Sequence, residues 1–127
     1  MRIHGIGIDV VEIPRIAVAI EKHGESFLAR IFTEAERAYC AAHGVPDQHY
    51  AARFAAKEAV AKALGSGIGE HATWLDLEVG RTATGAPTVM LHGAAAAFAE
   101  RHGITSVQLS LTHTKAYAAA NAIAVAD

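Results

Sequence analysis

The stretch from Gln48 to Leu64 constrains this chain more than any other. It holds seven alanines and one β-branched residue, Val60, before Gly65 interrupts it. Alanine is the strongest helix former and glycine a strong helix terminator, so the segment is predicted as the longest helix, with Asp47 capping its start. A helix of this kind brings little bulk to a core. Alanine accounts for 29 of the 127 residues, and the bulky apolar residues (Ile, Leu, Val, Met, Phe, Trp and Tyr) number 36. That is enough for one domain, 1–127, with a core of modest volume that a partner subunit would help to complete.

Around this helix the pattern predicts strands and shorter helices. Residues 2–11 form a β-branched strand (Ile3, Ile6, Ile8, Val10, Val11) in which Gly5 and Gly7 leave room for another backbone or a ligand. Pro14 suits the first turn of a helix that Gly24 is expected to stop, and Thr33 with Glu36 forms a capping box for a helix closed by Gly44. Trp74 to Val79 and Thr88 to Leu91 are predicted as two strands joined by the Gly85-Ala86-Pro87 turn, followed by a helix over Ala94 to His102. Residues 106–111 alternate polar and apolar, the period of a half-buried strand. Ala116 to Ala126 has the composition of a helix. The short turn around His113-Thr114-Lys115 favours instead a strand antiparallel to its predecessor. The expected class is α+β: a small antiparallel sheet packed with a long central helix and shorter helices.

Eleven basic residues against 13 acidic ones give a net charge of −2, which excludes the strongly basic footprint of a dedicated nucleic-acid binder. Cys40 is the only cysteine, so no internal disulfide or cysteine-based zinc site is possible, and an intracellular compartment fits. Asp9 interrupts what a secretory leader would need as its apolar stretch, and no apolar run approaches the roughly 20 residues that span a bilayer. The expectation is a cytoplasmic protein with no membrane segment.

Three places have chemical potential. Asp9 ends an apolar strand, where a carboxylate needs solvent, a hydrogen bond or a cation; it either caps the following turn or serves as a ligand. On the long helix Arg53, Lys57 and Lys62 surround Glu58. Glu58 and Lys62 would make an ordinary i, i+4 surface pair, whereas Asp9, Glu58 and the basic cluster together would suit Mg²⁺ and a polyphosphate, because magnesium takes one or two carboxylates and fills the rest with water and phosphate oxygens. His113, flanked by Thr112 and Thr114 with Lys115 next, offers a group of donors to an anion or else forms a plain turn. The other seven histidines show no metal-binding spacing and are read as surface residues. Gly65-Ser66-Gly67-Ile68-Gly69 follows a helix, the wrong context for a phosphate loop, and is read as a connector.

Three separated segments, Gly5-Ile6-Gly7-Ile8-Asp9 through Ile16, Arg53-Phe54-Ala55-Ala56-Lys57-Glu58 through Gly65, and Leu109-Ser110-Leu111-Thr112-His113-Thr114-Lys115 through Ala120, together resemble the holo-acyl-carrier-protein synthases, the small bacterial 4′-phosphopantetheinyl transferases. The resemblance spans nearly the whole chain, including the Gly85-x-Pro87 turn. It implies transfer of the 4′-phosphopantetheine arm from coenzyme A to a serine of apo-acyl carrier protein, releasing adenosine 3′,5′-bisphosphate, as a step serving fatty acid biosynthesis. It implies Mg²⁺ held by Asp9 and Glu58, Lys62 beside the diphosphate, and Glu58 or a polarised water as proton acceptor. By the same likeness Arg53, Thr112 and His113 face the 3′-phosphate of coenzyme A, and Phe54, Gly65 and Pro87 lie near the nucleotide. Arg15, Lys22 and Arg30 of the first helix would meet the acidic carrier. A homotrimer with sites between neighbours is also implied. The competing readings are a non-catalytic oligomeric coenzyme A or nucleotide-binding module and a metal-dependent phosphohydrolase.

Overall fold

A computed structural model describes all 127 residues. Strand β1 (Arg2–Glu12) leads into helix α1 (Ile13–Ile31), with Pro14 in its first turn, where the missing N–H has no helical partner to lose. Gly24 breaks α1 as expected, taking φ 52° and ψ −131°, outside helical geometry, and a second helical stretch follows directly to Ile31. Helix α2 (Glu34–Ala41) carries the predicted capping box: the Glu36 N–H donates to the Thr33 hydroxyl, and the Thr33 N–H donates to the Glu36 carboxylate.

Helix α3 (Pro46–Leu64) begins two residues earlier than expected. Pro46 pre-sets its first turn, so Asp47 lies inside the helix, where its charge favours the positive N-terminal end, and does not cap it. Gly65 closes α3 in the left-handed conformation, φ 87°, as predicted. Twelve of the 19 residues of α3 are buried, too many for one stripe, so the helix must be covered on most sides. Trp74 to Asp76 forms a 3₁₀ turn instead of strand, because Thr73 and Asp76 make a local capping box that competes with extended backbone. Strands β2 (Leu77–Arg81) and β3 (Pro87–Leu91) form a separate antiparallel hairpin, and helix α4 (Gly93–Arg101) leads to strands β4 (Ile104–His113) and β5 (Tyr117–Ala126).

The main sheet has the order β1-β5-β4, all antiparallel. Its middle strand is the alanine-rich β5: hydrogen bonding on both edges overrides the helix preference of its residues. The sheet's inner face is built of very small side chains, Gly5 and Gly7 on β1 and Ala118, Ala120, Ala122 and Ala124 on β5, and α3 lies against it. Two glycines set the distance. A Cβ on Gly5 would sit 2.2 Å from the Ala63 carbonyl oxygen, and one on Gly7 only 1.8 Å from that of Ala59, so strand and helix backbones touch. A second cluster under α1 and α2 packs Phe32, Tyr50, Ile16 and the fully buried Cys40. The outer face of β1 is uncovered: Ile6, Ile8 and Val10 are 67%, 69% and 63% exposed. No helix is long and apolar enough to cross a membrane.

Candidate functional site

Because Gly5 and Gly7 hold β1 on α3, the next residue on the same face of the strand, Asp9, lands beside the outward ridge of the helix. There it meets Lys62, whose Nζ lies 3.5 Å from Asp9 Oδ1 and donates to the Ile8 carbonyl at 2.9 Å. Lys62 thus crosses from helix to strand, and the local Glu58–Lys62 pair considered above does not form. Asp9 does not cap the turn after β1. Glu58, one turn before Lys62, is half-buried and receives no hydrogen bond from the protein. Burial first, and the nearby Asp9 charge second, push its carboxyl above the usual range, with Lys62 partly opposing them. Lys62 pairs with Asp9 alone, so two neighbouring carboxylates have a single ammonium nearby, an arrangement short of positive charge.

The donor set fits a hard divalent cation. Two neighbouring carboxylates offer the oxygen ligands magnesium prefers and leave its remaining positions to water or phosphate. No group of three or more histidine, cysteine or acidic side chains gathers anywhere in the structure to form a closed metal cage.

At the other end of α3 the charge is reversed. A pocket of about 260 Å³ is lined by Tyr39, Arg53, Arg81, Pro87, Thr112 and His113 among others, with no acidic residue in its wall. The Arg53 guanidinium lies 4.0 Å above the Tyr39 ring, and that of Arg81 lies 5.1 Å from the same ring while hydrogen-bonding the Tyr39 hydroxyl. Arg53 is only 5% exposed, its Nε is buried without a partner, and neither arginine makes an ion pair. A buried cation such as Arg53, with a donor left unpartnered and no counter-charge, is costly unless an anion arrives.

Arg53, Pro87, Thr112 and His113 thus converge, and Asp9, Glu58 and Lys62 converge elsewhere on the same chain. Phe54 is with neither group. It stacks on Trp74 at 4.9 Å and lines a groove of about 590 Å³ between β1 and α1, together with Val10, Arg15, Phe27 and Tyr117. Gly65 ends α3 away from the basic pocket, near His4. Arg15, Lys22 and Arg30 are exposed along α1, Arg15 within 3.8 Å of Glu12.

The sequence reading missed two features. Lys57, counted there among the cations around Glu58, is wholly buried on the opposite side of α3: its Nζ is 2.7 Å from Glu36 Oε1 and donates to the Trp74 carbonyl at 2.9 Å. Burial lowers its proton affinity, and Glu36 partly restores it. Glu36 also accepts from the Val79 N–H at 2.7 Å, which ties the β2–β3 hairpin to α2 and α3. The second miss is that His43 and His49 are not isolated surface residues. Their rings lie 4.1 Å apart beside Tyr39.

Residues 5–122 match the model of the 4′-phosphopantetheinyl transferase superfamily. The chain is 49% identical to the holo-[acyl-carrier-protein] synthase of Koribacter versatilis, over 94% of this chain and 95% of that one. Its fold superposes on the crystal structure of the holo-[acyl-carrier-protein] synthase of Neisseria meningitidis with a TM-score of 0.92, at 35% identity, covering 98% and 99% of the two chains. A holo-(acyl-carrier-protein) synthase of Bacillus anthracis, solved in complex with CoA (3′,5′-ADP), superposes with a TM-score of 0.82 at 35% identity over 98% of each chain. With a glycine-set seam that joins two carboxylates and a basic pocket at the far end of the same helix, this chain belongs to the 4′-phosphopantetheinyl transferase superfamily, among its holo-[acyl-carrier-protein] synthases.

Proposed function

We propose that this protein transfers the 4′-phosphopantetheine arm of coenzyme A to a serine of apo-acyl carrier protein and releases adenosine 3′,5′-bisphosphate. The observation that carries this reading is the division of charge along α3. A donor with a diphosphate at one point and a separate phosphate at another needs a cation-holding acidic seam and a distinct anion pocket, and the acidic β1–α3 seam and the basic-lined cavity support that assignment. In the transfer, the serine oxygen bonds to the β-phosphorus, the bridging P–O bond breaks towards the nucleotide, and the serine proton must be taken up.

Asp9 and Glu58 are the residues that would hold Mg²⁺, which when bound neutralises charge developing on the diphosphate oxygens. Glu58, half-buried and without a protein donor, is also placed to accept the serine proton, a role that a polarised water could share. Lys62 is half-exposed and can turn its ammonium from Asp9 to a diphosphate oxygen, adding a point charge where negative charge accumulates. Arg53, Thr112 and His113 would hold the 3′-phosphate, with Pro87 against the nucleotide.

The active unit is a homotrimer in this reading. The bare outer face of β1, extended by Ile123 and Val125 across β5, supports association through the sheet, since isolated exposed aliphatic residues are ordinary but a continuous row of them is not. Separation of the acidic seam from the basic pocket within one chain supports a site assembled from two copies. Arg15, Lys22 and Arg30 give the acidic carrier a positive approach along α1. Incubation with coenzyme A, Mg²⁺ and apo-carrier, followed by mass measurement of the carrier, tests the proposal: the arm should be added. An unchanged carrier would leave a binding module, and release of inorganic phosphate without transfer would indicate a phosphohydrolase.

A further inference from the structure

We propose that His49 is a specificity-determining residue of the basic pocket, positioned by the stacked His43 and taking up a proton when a doubly charged phosphate monoester binds, so that a terminal phosphate is distinguished from an end that carries one negative charge or none. This rests on the reading above that the pocket receives the 3′-phosphate of the donor.

His49 sits in the first turns of α3 and lines the pocket. Every element around it presents a cation, a group able to become one, or a neutral ring. Tyr39 faces it from α2 at 5.7 Å between ring centroids, His43 from the α2–α3 connection at 4.1 Å, and His113 from the end of β4 at 6.4 Å. Arg53 of α3 and Arg81 of β2 add two permanent positive charges. No carboxylate is in this group. Glu78 lines the adjoining cavity with Arg53 and Arg81, but Thr33 and His92 already hydrogen-bond it. Burial, and then these cationic neighbours, lower His49's proton affinity from its ordinary value.

With the proton affinity of His49 lowered, the two guanidinium groups carry the charge of the pocket. A phosphodiester brings one negative charge, which two guanidinium groups already exceed, and it gives the histidines no reason to protonate. A phosphate monoester brings close to two negative charges above its second pKa of about 6. Its field opposes the cations that lower the proton affinity of His49. His43 donates from Nδ1 to the Tyr39 carbonyl at 2.7 Å, which fixes its ring against that of His49, and His49 lies directly in the pocket wall.

The sign follows from linkage: when the complex binds more protons than the free protein, affinity falls as pH rises. One linked proton changes affinity by up to about tenfold per pH unit.

The test is calorimetric titration of the trimeric or monomeric protein, as it exists in solution, with coenzyme A and with 3′-dephospho-coenzyme A. No carrier is present, the pH runs from 6.5 to 8, and the buffers differ in ionisation enthalpy. Coenzyme A should bind with net proton uptake and weaken several-fold across this range, while the dephospho compound binds more weakly with a flatter profile. His49→Gln should flatten the coenzyme A profile and His43→Gln should do so in part, while the pH profile of the dephospho compound stays flat in both. The buffer dependence of the unmodified protein needs no variant, so a misfolded variant does not blunt the test. Tighter binding of coenzyme A without proton uptake, or a profile unchanged in both variants, overturns the histidine role and leaves the proposed transferase intact. Equal affinity for the two compounds at every pH overturns the placement of the 3′-phosphate itself.

Discussion

Lys57 and Glu58 are adjacent in sequence, and their surroundings are opposite. Lys57 points inward to a fully buried network in which Glu36, the Trp74 carbonyl and the Val79 N–H satisfy one another. Glu58 points to the strand seam, half-exposed, with no protein donor and with Asp9 adding like charge. The saturated cluster has nothing left to bind and joins α2, α3 and β2 into one frame. The unsaturated cluster has binding capacity in reserve, which is what a site for a metal ion and a substrate requires. A single residue step along the helix, about 100° of rotation, separates scaffold from chemistry.

If saturation and burial make that difference, substitutions should separate the two clusters by their effect on the fold. Lys57→Met should be the most damaging, costing about 3–5 kcal/mol because it leaves Glu36 buried and unpaired, and Lys57→Met with Glu36→Leu should recover much of the loss in denaturant unfolding. A double variant no better than the single one would show that Glu36 is not the reason. Gly7→Ala comes next. Its Cβ meets the Ala59 carbonyl at 1.8 Å, so β1 must lift from α3, an overpacking cost of roughly 1–3 kcal/mol. Transfer activity should fall further than stability does, since the same shift parts Asp9 from Glu58. Retained activity in a folded Gly7→Ala protein would show that the seam tolerates looser spacing.

Glu58→Gln should have the smallest effect on the fold and a large one on transfer. Because the folded carboxyl titrates above its unfolded value, its contribution to stability is present at low pH and is lost as pH rises through the folded value. Near neutral pH the variant should therefore melt at an equal or higher temperature than the parent while losing Mg²⁺-dependent transfer. A clearly lower melting temperature would mean that Glu58 supports the fold. A weaker effect still is expected at α1: Arg15→Ala should slow carrier association chiefly at low salt, the behaviour of an exposed steering charge.

Much of this was legible in the residues themselves. β1, the Thr33 capping box, the Gly65 stop and the β4–β5 hairpin follow from local chemistry that the fold does not oppose. Gly24 breaks the helix as expected, but nothing local to it encodes the second helical stretch that follows at once to Ile31. Asp47 misled because Pro46 had already fixed the first turn. Asp9 and Glu58 stood out because carboxylates at apolar edges are costly. The separation of Lys57 from Lys62, five residues apart on one helix, could not be read from periodicity, since a helix buried on most sides has no single inward face. The pairing of His43 with His49 depends on how the α2–α3 connection turns, and no spacing rule encodes that.

Cys40, sealed in the second core cluster, acquires a further meaning beside the proposed donor. Coenzyme A ends in a free sulfhydryl, and an enzyme handling it continually risks a mixed disulfide with its own thiols. Here the only cysteine has no exposed surface, and burial pushes its titration up to about 11, so almost none of it is thiolate at neutral pH. The catalyst is thereby inert towards the reactive end of the molecule whose other end it cleaves.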